Sequence, residues 1–130
     1  MRRTVTQNVP RVLHDMQPTI ADNTAVPAGV VWRLAEAGRQ LDANVLNLPP
    51  GTVVEAHAEP DLDVLMVVVA GSATMDTEDG ARPLLPGAVV WLPRGSTRGF
   101  TIGTDGLTYL TVHGRRPGMQ IRGAGGVRRT

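Results

Sequence analysis

From Val30 onward the apolar residues come in short, β-branched-rich runs, each closed by a turn signal. The runs are "VVWRLA", "QLDANVLNL", "TVVEAHAE", "DVLMVVVAG", "SATMDT", "AVVWLP", "RGFTI" and "LTYLTV". Between them lie "EAGR", "PPG", "EPD", "EDG", "LPG", "PRG" and "TDG", rich in the residues that favour turns. No stretch holds a helical apolar period for long. Short strands at nearly regular spacing predict an all-β fold, a sandwich or barrel. "TEDGA" (residues 77–81) is the best hairpin signal, because Gly80 can take the positive φ a tight turn needs. Residues 1–29 carry Pro10, Pro18 and Pro27 and read as an irregular lead-in, with one short element expected around "RVLHDM". Residues 30–113 form the barrel, and residues 114–130, glycine- and arginine-rich, read as a flexible tail.

Composition narrows the function classes. A chain of 130 residues fits one domain with a real core. It has no cysteine, which removes disulfides and thiolate chemistry. All 13 basic residues are arginine, they are scattered, and the net charge is +1, so the basic stripe of a nucleic-acid binder is missing. No run approaches the roughly 20 apolar residues of a membrane helix. The two arginines near the amino end precede no apolar signal region, so a cytoplasmic protein is expected. In "DVLMVVVAG" both alternating sets are apolar: Val64, Met66 and Val68 on one face, Leu65, Val67 and Val69 on the other. One face can fill the barrel, and the other calls for a partner sheet, so a homodimer is expected.

The candidate chemistry starts at "GTVVEAHAEPDLDV" (residues 51–64), where one histidine stands among carboxylates. His57 and Glu59 are two apart and share a face of an extended chain. Gly51 is followed after five residues by His57, then Glu59, and the apolar run ends at Gly71. A second stretch runs Gly87, Pro93, Gly95, Arg98, with 15 residues separating Gly71 from Gly87. This pair resembles the two motifs of the cupin superfamily, over about residues 30–113. The resemblance implies a cupin-like jelly-roll β-barrel, with His57, Glu59 and Arg98 facing its cavity. Family members that bind a metal use three histidines and a glutamate. Position by position, only His57 keeps a ligand identity here. The second histidine is Glu59, the glutamate position falls on Val64, the third histidine is Arg98, and the distal asparagine is Ile102.

Two readings follow. In the favoured one, Arg98 replaces the charge of the metal and pairs with Glu59, leaving His57 as a hydrogen-bonding or acid–base group. No cofactor is then needed. The ligand is a small, partly anionic molecule, held by His57, Glu59, Arg98 and Phe100, the last pointing inward as an apolar wall. If the protein is catalytic, His57 and Arg98 carry a metal-independent proton transfer. In the alternative, a dioxygenase- or isomerase-like enzyme, His57 and Glu59 bind a metal with Asp63 or His113 as a third group. A third class is a non-catalytic sensing or structural dimer. The remaining groups have simpler readings. His14 is a surface residue, Asp61 and Asp63 are turn residues, and the aromatic residues pack. His113 points to solvent if Leu110 and Val112 fill the barrel.

Overall fold

The structure, a computed structural model, describes residues 9–115. A short helix α1 (Gln17–Ala21) and a 3-10 turn (Asn23–Ala25) precede seven strands. These are β1 (Gly29–Arg33), β2 (Leu41–Leu48), β3 (Val53–Ala58), β4 (Val64–Thr77), β5 (Gly80–Leu84), β6 (Val89–Leu92) and β7 (Thr97–Gly114). All pairings are antiparallel, and the strand order is β1-β2-β7-β4-β5, with β3 also on β7 and β6 also on β4. This is the all-β fold expected from the spacing of the apolar runs, in the jelly-roll form that the resemblance implies.

The differences have local causes. Four of the eight apolar runs fuse in pairs into β4 and β7, which bend instead of stopping. The bend lies where Gly71 and Gly106 meet. A Cβ on Gly71 would sit 2.1 Å from the Gly106 carbonyl oxygen, and both residues have φ near +77° (78° and 76°). Only glycine lets two backbones approach this closely in that conformation. Strand β5 was hidden by Pro83, which cannot donate to a ladder; the structure puts it on the edge strand, where a proline is tolerated. The turn of "TEDGA" closes with Thr77 opposite Gly80, whose φ is 110°. Gly114 pairs with Leu41, and the Arg115 N–H donates to the Gln40 carbonyl at 2.9 Å. Beyond that, the expected flexible ends lie outside the described residues.

The described part of the lead-in, from residue 9, has a structural role. Its helix starts at Gln17, not in "RVLHDM", with Pro18 in the first turn, where a missing N–H is harmless. On β2, Ala43, Val45 and Asn47 are buried on the face away from the cavity. The buried Asn47 side chain donates to the carbonyls of Val26 (2.7 Å) and Pro27 (3.3 Å), and accepts from Thr108 Oγ1 at 2.8 Å. Thr108 is fully buried. Asn23 adds a bond from its amide to the Asp105 carbonyl at 2.9 Å, and His14 stacks on Trp32 with ring centroids 5.8 Å apart. Residues 14–27 are thus strapped to the outer face of the β2–β7 sheet.

The core lies between the curved halves of the β4–β7 ribbon. Met66, Val68, Ile102, Leu84 and Leu107 are each at most 3% exposed. Among the described residues, no helix is long and apolar enough to cross a membrane.

Candidate functional site

A cavity of about 380 Å³ opens into the barrel. Its lining grades from apolar to polar along strand after strand. On β7 the order is Leu107, Tyr109, Thr111, His113, and on β2 it is Leu48, Leu46, Asn44. On β3 and the start of β7, Val54 lies opposite Phe100, and His57 lies opposite Arg98. Met66 and Leu107, 2% and 1% exposed, form the floor; His57 and Arg33 are exposed and mark the rim. The lining includes two arginines and two histidines but no carboxylate. That balance makes the cavity receptive to an anion.

Arg98 is the central group. It is only 5% exposed, and its Nη1 donates to the Ser96 carbonyl at 3.2 Å. Its Nε is buried and has no hydrogen-bond partner. Desolvation pulls its pKa below the usual arginine value, and the nearby negative charge of Glu59 partly offsets this. A buried donor left unmatched costs stability, so an orphan guanidinium edge on a cavity wall points to a missing acceptor.

His57 is the direct cross-strand neighbour of Arg98. Its Nδ1 lies 2.9 Å from the Glu55 carbonyl oxygen. A carbonyl can only accept, so Nδ1 carries the proton and Nε2 is the basic nitrogen. His113 repeats the device, with Nδ1 2.9 Å from the Gly114 carbonyl oxygen. At the rim, Arg33 Nε donates to Asn44 Oδ1 at 3.1 Å. Tyr109 is half-buried on the cavity wall, and burial raises the pKa of its phenol.

Two expected site residues stand elsewhere. β3 ends at Ala58, so the two-residue alternation that links His57 to Glu59 no longer applies there. The Glu59 carboxylate turns to the following loop and accepts the Asp61 N–H at 2.7 Å, while the Glu59 carbonyl accepts from Gly95 at 2.7 Å. Glu59 is buried but does not line the cavity. Nor does it form a close ion pair with Arg98; the close pairs among the described residues are Arg11–Glu36 and Arg39–Asp42. Asp63 accepts the Arg94 N–H at 2.9 Å. The Asp63 carboxylate and the Glu59 backbone carbonyl clip the β3–β4 loop to the β6–β7 loop. Phe100 does line the cavity, beside Val54.

The metal set imagined from His57, Glu59 and Asp63 is therefore not assembled. Among the described residues, no group of three histidine or carboxylate side chains converges as a metal site. The cavity offers two imidazoles and, next to one of them, a fixed cation, which does not fit a divalent ion.

Thr111, Tyr109, Asn44 and Arg33 are the site residues that sequence reasoning missed. The sequence leaves His113 between the cavity and solvent, because Leu110 and Val112 could equally have filled the barrel. The structure turns Tyr109, Thr111 and His113 inward, and Leu110 and Val112 to the outer face. The available signal was that both faces of this strand carry partners of β4, whose outer set is also apolar.

Comparison with solved structures matches this architecture to cupins. KdgF from Halomonas sp. aligns with a TM-score of 0.56 and 24% identity, over 68% of this chain and 81% of that one. A sugar phosphate isomerase of the cupin superfamily from Silicibacter pomeroyi aligns with a TM-score of 0.55 and 26% identity, over 65% of this chain and 58% of that one. A cupin-2 domain protein from Shewanella frigidimarina aligns with a TM-score of 0.57 and 15% identity, over 78% of this chain and its whole length (100%). Comparisons with family models and with curated proteins find no match. The chain folds as a jelly-roll barrel like those of the cupin superfamily.

Proposed function

We propose that this cupin domain binds a small organic anion in its barrel without a metal. The observation that carries this reading is Arg98: a buried guanidinium on the cavity wall whose Nε has no partner. A buried guanidinium with an unmet donor is costly, and an oxyanion would accept from that edge. The absence of any carboxylate from the cavity lining supports the same charge preference. Native mass spectrometry of the purified protein, followed by denaturation and analysis of released acids, tests it. Co-purified organic acid in the wild type and none in Arg98→Met is the expected result. Equal amounts in both would overturn the reading.

A second reading adds turnover, and the orientation of His57 favours it. With Nδ1–H committed to the Glu55 carbonyl, Nε2 is left as a base beside Arg98. In this reading Nε2 takes a proton from the carbon next to a carboxylate or carbonyl, and the guanidinium holds the oxygen where negative charge builds up. The neighbouring structures include a sugar phosphate isomerase, although the fold alone does not select that activity. Deuterium wash-in from heavy water into a bound carboxylic acid, lost in His57→Gln, would establish turnover. Binding without wash-in would leave the domain as a binding module.

A further inference from the structure

We infer that the anion is an amphiphilic monocarboxylate, with its head on Arg98 and an aliphatic or aromatic body extending to the barrel floor. This rests on the anion-binding reading above and specifies its ligand class.

The head group follows from geometry. Arg98 Nη1 is engaged with Ser96, while Nε and the adjoining Nη2 make no described hydrogen bond. That free edge is a side-on fork of two parallel N–H donors, the shape complementary to one planar carboxylate. The other cavity arginine, Arg33, is exposed at the rim and already bonded to Asn44. One buried cation, already facing the nearby charge of Glu59, matches a single negative charge better than the two of a phosphate monoester.

The body follows from the lining below the rim. Beneath Arg98 and His57, the walls and floor are Val54, Phe100, Met66, Leu48 and Leu107. Tyr109 is the one hydroxyl among the lining residues at that depth, and no described hydrogen bond uses it. A polyhydroxylated body would therefore bury several hydroxyls against hydrocarbon with at most one partner, and each unmatched hydroxyl lowers affinity. A hydrocarbon body finds contact on every side. The Tyr109 hydroxyl leaves room for one polar substituent along it. The cavity thus differs in chemistry from what a sugar ligand requires, even though one neighbouring fold belongs to a sugar phosphate isomerase.

The test is calorimetric titration of the full-length protein with acetate, butyrate, hexanoate, octanoate, hydrocinnamate, gluconate and glucose phosphate. Affinity should climb about three- to fourfold per added methylene until the floor is reached, the factor expected for burial of a CH₂ group. Octanoate or hydrocinnamate should bind at least ten times more tightly than gluconate or glucose phosphate. Arg98→Met should abolish binding of both, with circular dichroism confirming that it folds. If gluconate or glucose phosphate binds best and in an Arg98-dependent way, the amphiphile assignment falls while the anion reading stands. If no anion binds, or if Arg98→Met leaves binding unchanged, both fall. The chain-length series needs only wild-type protein, so it decides the ligand class even if the variant does not fold.

Discussion

Gly71 and Gly106 touch backbone to backbone: a methyl group on Gly71 would lie 2.1 Å from the Gly106 carbonyl oxygen. This contact is the fold point of the β4–β7 ribbon, and the cavity exists because the ribbon bends there. Gly71→Ala must both leave its φ of 78° and push the facing backbone away. It should destabilise by about 3 kcal/mol or more. Gly51→Ala is the control, since its φ is also positive at 77° but its Cβ would meet open space. Its cost should stay near 1 kcal/mol. Urea denaturation of the two variants gives the comparison, and equal losses would show that the close approach is unimportant.

Arg98→Met should raise the stability of the ligand-free protein. The Glu59–Arg98 pair expected from the sequence would make this substitution destabilising, because it would leave a buried carboxylate unpaired. In the structure Glu59 already accepts the Asp61 N–H, and the buried guanidinium is the group with an unmet donor. Removing a desolvated charge while keeping the apolar stem should gain about 1 kcal/mol. Thermal melts of wild type and variant, both stripped of ligand, read this directly. A clear fall in melting temperature would mean that the attraction to Glu59 outweighs the desolvation.

Asn47→Leu should release the amino-terminal strap. The Asn47 side chain joins Val26, Pro27 and Thr108 in one buried network. Leucine leaves the two carbonyls and the Thr108 hydroxyl without that partner, a loss of about 2–3 kcal/mol. Limited proteolysis should then cut between residues 14 and 28 well before the barrel. Unchanged protection of this segment would show that the strap is held by other contacts.

The outer face of β6, β4 and β7 should form a homodimer. Leu65 pairs with both Trp91 and Val112, and Val67 with both Val89 and Leu110, so these side chains make one apolar surface. Val89 is 67% exposed and Trp91 59%, unusual for large apolar residues grouped together on a monomer. Sedimentation should show a dimer at tens of micromolar for the wild type and a monomer for Leu65→Glu. A wild-type monomer would remove the idea.

The fold was legible because alternation and turn chemistry act locally. Each strand run and each turn glycine could be read within a few residues. The site was legible only where a residue stayed inside a regular strand. The cupin resemblance put His57 and Arg98 on the cavity side, and counting two residues on from Arg98 added Phe100. Glu59 could not, because β3 ends one residue earlier and the carboxylate is claimed by a loop N–H. His113 could not either, since Leu110 and Val112 are as apolar as any core pair. Only the three-dimensional arrangement says that they face outward. The Asn47 bonds that hold residues 26–27 against β2 are another long-range fact, made with a proline-rich segment that has no strong local signal.

Tyr109 provides a spectroscopic report on the cavity, because the chain has a single tyrosine. Burial raises its pKa above the ordinary phenol value of 10.0. The sign is that of a neutral group protected from ionising: the folded state holds the proton more tightly than the unfolded chain. This contribution to stability is complete below the unfolded pKa and is lost as pH rises through the folded one. Phenolate absorbance should therefore appear at higher pH in the native protein than in urea. A carboxylate bound in the same cavity adds a like charge to that of the phenolate, so saturating octanoate should push the native transition higher still. In Arg98→Met, octanoate should leave the transition where it was. Native and unfolded transitions at the same pH would show the phenol to be solvated. A native transition that ignores octanoate in a protein that binds it would put the ligand outside the barrel.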